Sequence, residues 1–158
     1  QAEIDEGVAE LERVRTRLAG SRTMRLLLVE DDPVEAKLLQ EILAPVLPDV
    51  IELFHTDTLH QAILNAELGF DATLVDVNLP DSTGMATVTT FLANCPKMPV
   101  CFATGDPDTA AELRRSGIPV MAKYDLPNVV RKHHRGTAEI VDLLVDAIAA
   151  KQAEAVGT

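Results

Sequence analysis

Ala72-Thr73-Leu74-Val75-Asp76-Val77-Asn78-Leu79-Pro80-Asp81 is the stretch that decides how this chain folds. An apolar run that stops at a carboxylate and then turns through Pro80 has the form of a buried strand delivering Asp76 at its C-terminal end. The run Leu26-Leu27-Leu28-Val29 stops in the same way, in Glu30-Asp31-Asp32-Pro33. Two buried strands that both end in carboxylates bring acidic side chains together at one edge of a sheet. In open α/β sheets, ligands bind outside that carboxyl edge. A crowded acidic pocket there calls for a divalent cation.

Outward from these two runs, strand and helix patterns alternate from Met24 onward, as in a parallel sheet covered on both faces. Strands are expected at about 25–30, 50–54, 72–76, 100–104 and 118–123. Asp32 caps the first helix, with Pro33 in its first turn and an apolar stripe of Val34, Leu38, Ile42 and Val46. The second helix carries Leu59, Ala62, Ile63 and Ala66 and is stopped by Gly69. Met85, Val88, Phe91 and Leu92 mark a third. Asp106-Pro107 opens a weaker fourth with Ala110, Ala111 and Leu113, ending at Gly117. Thr137 is expected to cap the last helix, which carries Ile140, Leu143, Leu144, Ala147 and Ile148. Between Lys123 and Thr137 an irregular stretch is expected, with Pro127 and the basic run Arg131-Lys132-His133-His134-Arg135.

The chain divides into a helical, coiled-coil-like linker over 1–21, one α/β domain over 22–152 and a short tail over 153–158. In the first segment Ile4, Leu11 and Leu18 are spaced by seven, with Val14 between them and Gly7 at a seam position. So short a coil is marginal alone. It is expected either to form a weak homodimer or to fold back on its own domain. A chain that opens on Gln1 rather than Met is expected to be a fragment or a processed product.

Composition narrows the function classes. Fourteen basic against 25 acidic residues leave a net charge of −11, without the basic stripe a nucleic-acid surface needs. Apolar content of 47%, no Trp and one Tyr suit an aliphatic parallel-sheet core. No apolar stretch has membrane-spanning length and no signal-peptide pattern opens the chain, so it reads as cytoplasmic and without a membrane partner. Cys95 and Cys101 are too few for a disulfide framework, and Cys101 reads as core. Met85, Met98 and Met121 read as core filler.

Strands ending in Glu30-Asp31, Asp76, Thr104 and Lys123, with the Asp-x-Asn-x-Pro turn and the Ala-Thr-Gly step, resemble the CheY-like receiver domain of bacterial response regulators. The resemblance covers about residues 24–150. It implies a flavodoxin-like, doubly wound five-stranded parallel sheet of order 2-1-3-4-5, here with an added N-terminal helix. It further implies that Asp76 accepts a phosphoryl group, from a histidine kinase or a phosphotransfer protein, with Mg²⁺ bound. By the same resemblance Asp31 ligates the metal directly, Glu30 acts through water, and Asp76 and the backbone carbonyl of Asn78 complete the protein ligands. Lys123 pairs first with Asp76 and then with phosphoryl oxygens, while the Thr104 hydroxyl swings in and Gly105 leaves it room. The cation is needed because carboxylate and phosphoryl group are both negative.

Two positions depart from the family pattern: Val120 stands where an aromatic switch is usual, and Tyr124 follows the lysine in place of proline. Phe102-Ala103-Thr104-Gly105 is similar to an alphaproteobacterial subclass that also lacks the aromatic, although Asp106 replaces a hydrophobic residue there. The expected function is a phosphoacceptor module, either a stand-alone response regulator or the receiver of a hybrid kinase, rather than an enzyme. One alternative is a Mg²⁺-dependent phosphohydrolase with Asp76 as nucleophile. Asn78 stands against it, at the position where haloacid-dehalogenase-type phosphatases carry a second Asp. A pseudo-receiver without phosphorylation is the other, and the complete acidic set argues against that. Arg131, Lys132 and Arg135 are candidates for partner docking; His133-His134 reads as solvated rather than as a metal or phosphohistidine site.

Overall fold

Leu26, Leu28, Leu74, Cys101 and Ala103 face one side of a sheet, and Leu27, Val29, Val75, Val100 and Phe102 face the other. This alternation is the two-residue period of a strand, and apolar residues on both sides require helices on both sides. The fold comes from a computed structural model that describes residues 23–123 and 134–157, together with residues 9, 12, 13 and 16. Strands β1 (Met24–Val29), β2 (Ile51–Thr56), β3 (Ala72–Asp76), β4 (Val100–Thr104) and β5 (Val120–Ala122) form one parallel sheet of order β2-β1-β3-β4-β5. That is the expected doubly wound order. Helices α1 (Pro33–Leu43) and α5 (His134–Gly157) cover one face. Helices α2 (Leu59–Ala66), α3 (Met85–Asn94) and α4 (Pro107–Arg115) cover the other.

The register aligns the strand ends that matter. Val29 pairs with Val75, Asp76 with Ala103, and Thr104 with Ala122. Glu30, Asp76, Thr104 and Lys123 therefore emerge along one carboxyl edge. On the core side, Phe91 and Phe102 meet edge to face at 6.0 Å, and Cys101 is fully buried, which pushes its thiol up to about 12. It is core, as expected. Met121 is buried, and Met85 and Met98 pack partly buried against the same face as Phe91.

Several expected details are corrected. The buried face of α1 is Ala36, Leu39, Ile42 and Leu43, not a stripe through Val34, which is 66% exposed. Thr137 is not a cap: α5 begins at His134, and the Thr137 hydroxyl donates to the Ile42 carbonyl at the end of α1. It bonds one helix to the other inside the core. The α5 helix also continues to Gly157, through most of the stretch expected to be a tail. β5 is shorter than the expected strand, and Lys123 lies just beyond it. Gly69 and Gly117 stand at positive φ, of 87° and 73°, after α2 and α4, where left-handed backbone favours glycine.

Residues 9, 12, 13 and 16 are helical, and the Arg13 guanidinium pairs with Asp142 of α5 through two contacts, at 2.7 and 3.3 Å. The seam residues Ile4, Gly7, Leu11, Val14 and Leu18 lie outside the described residues, as do Tyr124, Arg131, Lys132 and His133. The side chains of His134 and Arg135 lie outside them too, and with them the expected docking run. Among the described residues no helix is long and apolar enough to cross a membrane.

Candidate functional site

Three of the five strand ends each contribute one side chain to a single cluster. Asp76 ends β3 and is 5% exposed; Glu30 follows β1 and is 1% exposed. Lys123 follows β5 and sends its ammonium between them, 2.9 Å from Asp76 Oδ2 and 2.7 Å from Glu30 Oε1. A third carboxylate joins from the first turn of α1: Glu35 accepts a short hydrogen bond from the same ammonium. The other oxygen of Asp76 accepts the Asn78 amide at 3.0 Å. This contact holds the carboxylate in the turn that follows β3.

Burial, then the neighbouring Asp76 and Glu35 carboxylates, push the Glu30 carboxyl up to about 9. Burial alone would lower the Lys123 ammonium, but Glu30, Glu35 and Asp76 outweigh it and hold the lysine above its ordinary value. Three acidic groups thus share one cation, and Glu30 Oε1 is buried without an aligned hydrogen-bond donor despite its ion pair with Lys123. Ligand oxygens of Glu30, Glu35 and Asp76 lie within 4.8 Å of one another. The buried carboxylate oxygens of Glu30 and Asp76, one of them without an aligned hydrogen-bond donor, make an all-oxygen donor set that fits a hard divalent cation such as Mg²⁺.

Asp31 is exposed at the end of β1 and is not one of the three clustered carboxylates. Asp32 caps α1: its Oδ1 accepts the Val34 amide at 2.9 Å and the Glu35 amide at 3.4 Å. Asn78 is exposed and accepts the Gly84 amide on Oδ1 at 3.3 Å. Thr104 is fully buried at the end of β4, and its Oγ1 accepts the Asp106 amide at 3.0 Å, which leaves the hydroxyl proton available. A Cβ on Gly105 would meet nothing within 4 Å, so the glycine leaves open space beside Thr104.

Three participants escaped the sequence reading. Glu35 was signalled only by the Asp32-x-x-Glu35 spacing of a capping box. Asp81 reaches back to α2, where it accepts the Leu59 and His60 amides, each at 2.9 Å. His55, at the end of β2, donates a ring N–H to the Glu30 carbonyl at 2.7 Å. Neither of these last two contacts leaves a local sequence pattern.

The arrangement has known relatives. The response regulator receiver domain family matches residues 26–123, more than half of the 158-residue chain. The chain belongs to that family. Its fold is similar to the signal receiver domain of an HD domain-containing protein from Pseudomonas fluorescens, at 24% identity and TM-score 0.62, over 85% of this chain and 93% of that one. It is likewise similar to the response regulator domain of Thermotoga maritima CheB, at 18% identity and TM-score 0.58, over 81% and 98% of the two chains. A third likeness is to the Thermotoga maritima response regulator protein TrrA in complex with Mg²⁺ and BeF, at 18% identity and TM-score 0.53, over 64% and 87%. These likenesses establish the fold. A search among curated proteins finds no match. Receiver domains are phosphoacceptor signalling modules of two-component systems that interact with histidine kinases or phosphotransfer proteins, and this chain has their architecture.

Proposed function

We propose that Asp76 accepts a phosphoryl group from a phosphohistidine donor, a histidine kinase or a phosphotransfer protein, with Mg²⁺ bound at the carboxyl edge. The observation that carries this reading is the convergence of Glu30, Asp76 and Lys123 at the ends of three different strands. Asp31, Asp76 and the Asn78 carbonyl would hold the cation, with Glu30 acting through water. When bound, the cation neutralises charge between carboxylate and phosphoryl oxygens. An Asp76 oxygen forms the bond to phosphorus while the phosphorus–nitrogen bond to the donor histidine breaks, and the electron pair leaves with the imidazole. Lys123, a compact point charge, turns one of its N–H donors to a phosphoryl oxygen. The Thr104 hydroxyl donates to another, entering the space beside Gly105.

The Arg13–Asp142 pair supports the view that the N-terminal segment folds back on its own domain. A homodimer through that segment is the competing arrangement. Sedimentation of the intact chain against one starting at Ser21 separates the two.

Acetyl phosphate with Mg²⁺ should add one phosphoryl mass to the intact chain, and Asp76→Asn should abolish the addition. Labelling that persists undiminished in Asp76→Asn would exclude the assignment.

A further inference from the structure

Glu35 is the third residue of α1, behind the Asp32 cap. In a reciprocal capping box a glutamate here folds back onto the amide of the cap residue. In this chain the Asp32 amide points instead to Glu30 Oε2, at 3.5 Å. The Glu35 carboxylate reaches across the carboxyl edge and takes a hydrogen bond from Lys123.

An ammonium has three N–H donors; here two are hydrogen-bonded, to Glu35 and Asp76, while Glu30 Oε1 lies 2.7 Å away without an aligned donor. A phosphoryl group on Asp76 needs one of those donors. Glu30 is buried at the end of a central strand, and Asp76 is itself the acceptor. Glu35 is different: its side chain is 32% exposed on the first turn of a helix. It is the partner that can compete for Lys123 or release it, and its negative charge faces any anion that arrives.

We infer that Glu35 is a positioning residue: it holds Lys123 toward the first turn of α1 and competes with an anion on Asp76 for that ammonium, so that it sets how readily the acceptor fills. The inference rests on the phosphoacceptor reading above. It assigns Glu35 to the lysine, not to the metal.

Glu35→Gln keeps the side-chain length and removes the charge. Two measurements on the full chain test the role. Beryllium fluoride, titrated at saturating Mg²⁺, should bind Glu35→Gln at least threefold more tightly than the unmodified chain. In the absence of any anion, exchange of the Lys123 ammonium protons with water, followed by ¹⁵N NMR, should be at least threefold faster in Glu35→Gln. Glu35→Asp keeps the charge on a shorter arm and should lie between the two in both measurements; it also serves if Glu35→Gln does not fold. Equal or weaker beryllium fluoride binding, or unchanged ammonium exchange, overturns the role. A tenfold loss of Mg²⁺ affinity in Glu35→Gln would make Glu35 a metal ligand and overturn it too. Uptake of beryllium fluoride by neither chain would overturn the acceptor reading together with the competition, whereas equal uptake by both would overturn the Glu35 role alone.

Discussion

Asp81 accepts the Leu59 amide at 2.9 Å across 22 residues of sequence, tying the loop after β3 to the start of α2. Its second oxygen takes the His60 amide, and Thr58 Oγ1 takes Gln61. The first three amides of α2, which no helix can satisfy internally, are thus all bonded. Burial would raise the Asp81 carboxyl, but the Leu59 and His60 amides outweigh it and hold the group below the usual range. Because the folded value is the lower one, this contribution is present above the unfolded value near 3.8 and lost as pH falls through the folded one. Asp81→Ala should cost about 0.5–1 kcal/mol, the lower part of the range for caps since the group is exposed. The cost should vanish in acid. Urea denaturation at pH 7 and pH 3 checks it; an equal cost at both would contradict the capping role.

Glu30 makes the opposite pH prediction. Its folded value is raised to about 9 from 4.5, so between those values the native state holds a proton that the unfolded chain has lost. Stability of the metal-free protein should therefore fall as pH rises through that window, by at most about 1.4 kcal/mol per pH unit. Glu30→Gln should flatten the dependence. Melting temperatures from pH 5 to 9 for both chains are the measurement, and parallel curves would count against it.

Asp31 and Asp32 are adjacent but differ in duty. Asp32 already commits Oδ1 to the Val34 and Glu35 amides, whereas Asp31 is exposed and next in sequence to Glu30 of the acidic cluster. Asp31→Asn should weaken Mg²⁺ binding at least tenfold, about 1.4 kcal/mol, by isothermal titration. Asp32→Ala should lower stability by about 1 kcal/mol and change Mg²⁺ affinity less. A larger effect of Asp32 on affinity would shift the metal assignment by one residue.

Val120 is buried in β5 and has no ring to rotate, so the response to phosphorylation should leave through Thr104. Its hydroxyl oxygen accepts the Asp106 amide, and Asp106 in turn caps α4 through the Asp108 and Thr109 amides. Turning Thr104 toward a phosphoryl oxygen breaks the first of these contacts and loosens the start of a helix anchored by only Ala110 and Leu113. Amide shifts on adding beryllium fluoride with Mg²⁺ should concentrate in 105–117 and shrink in Thr104→Ala. A response confined to α1 and α2 would contradict this route.

Much of this edge was legible because strand ends carry their chemistry in the sequence: an apolar run followed by Glu30-Asp31, or by Asp76, states both burial and position. The helix faces were less so. Val34, Leu38, Ile42 and Val46 step by four residues, and at 3.6 residues per turn such a row drifts around the axis. The true contact face follows Ala36, Leu39, Ile42 and Leu43 instead. Thr137 looked like a cap because hydroxyls favour that place, yet tertiary packing turned it onto Ile42. Glu35 and Asp81 act across elements distant in sequence, and no local period encodes such a reach.

The most direct test of the central claim is to trap the acyl phosphate. After exposure to acetyl phosphate and Mg²⁺, borohydride reduces a phosphorylated aspartate to homoserine, which peptide mass spectrometry can locate. Homoserine should be found at position 76 and vanish when Mg²⁺ is chelated. Its recovery at Asp31 or Asp32 instead, or at no position in a chain shown to be folded, would contradict the account.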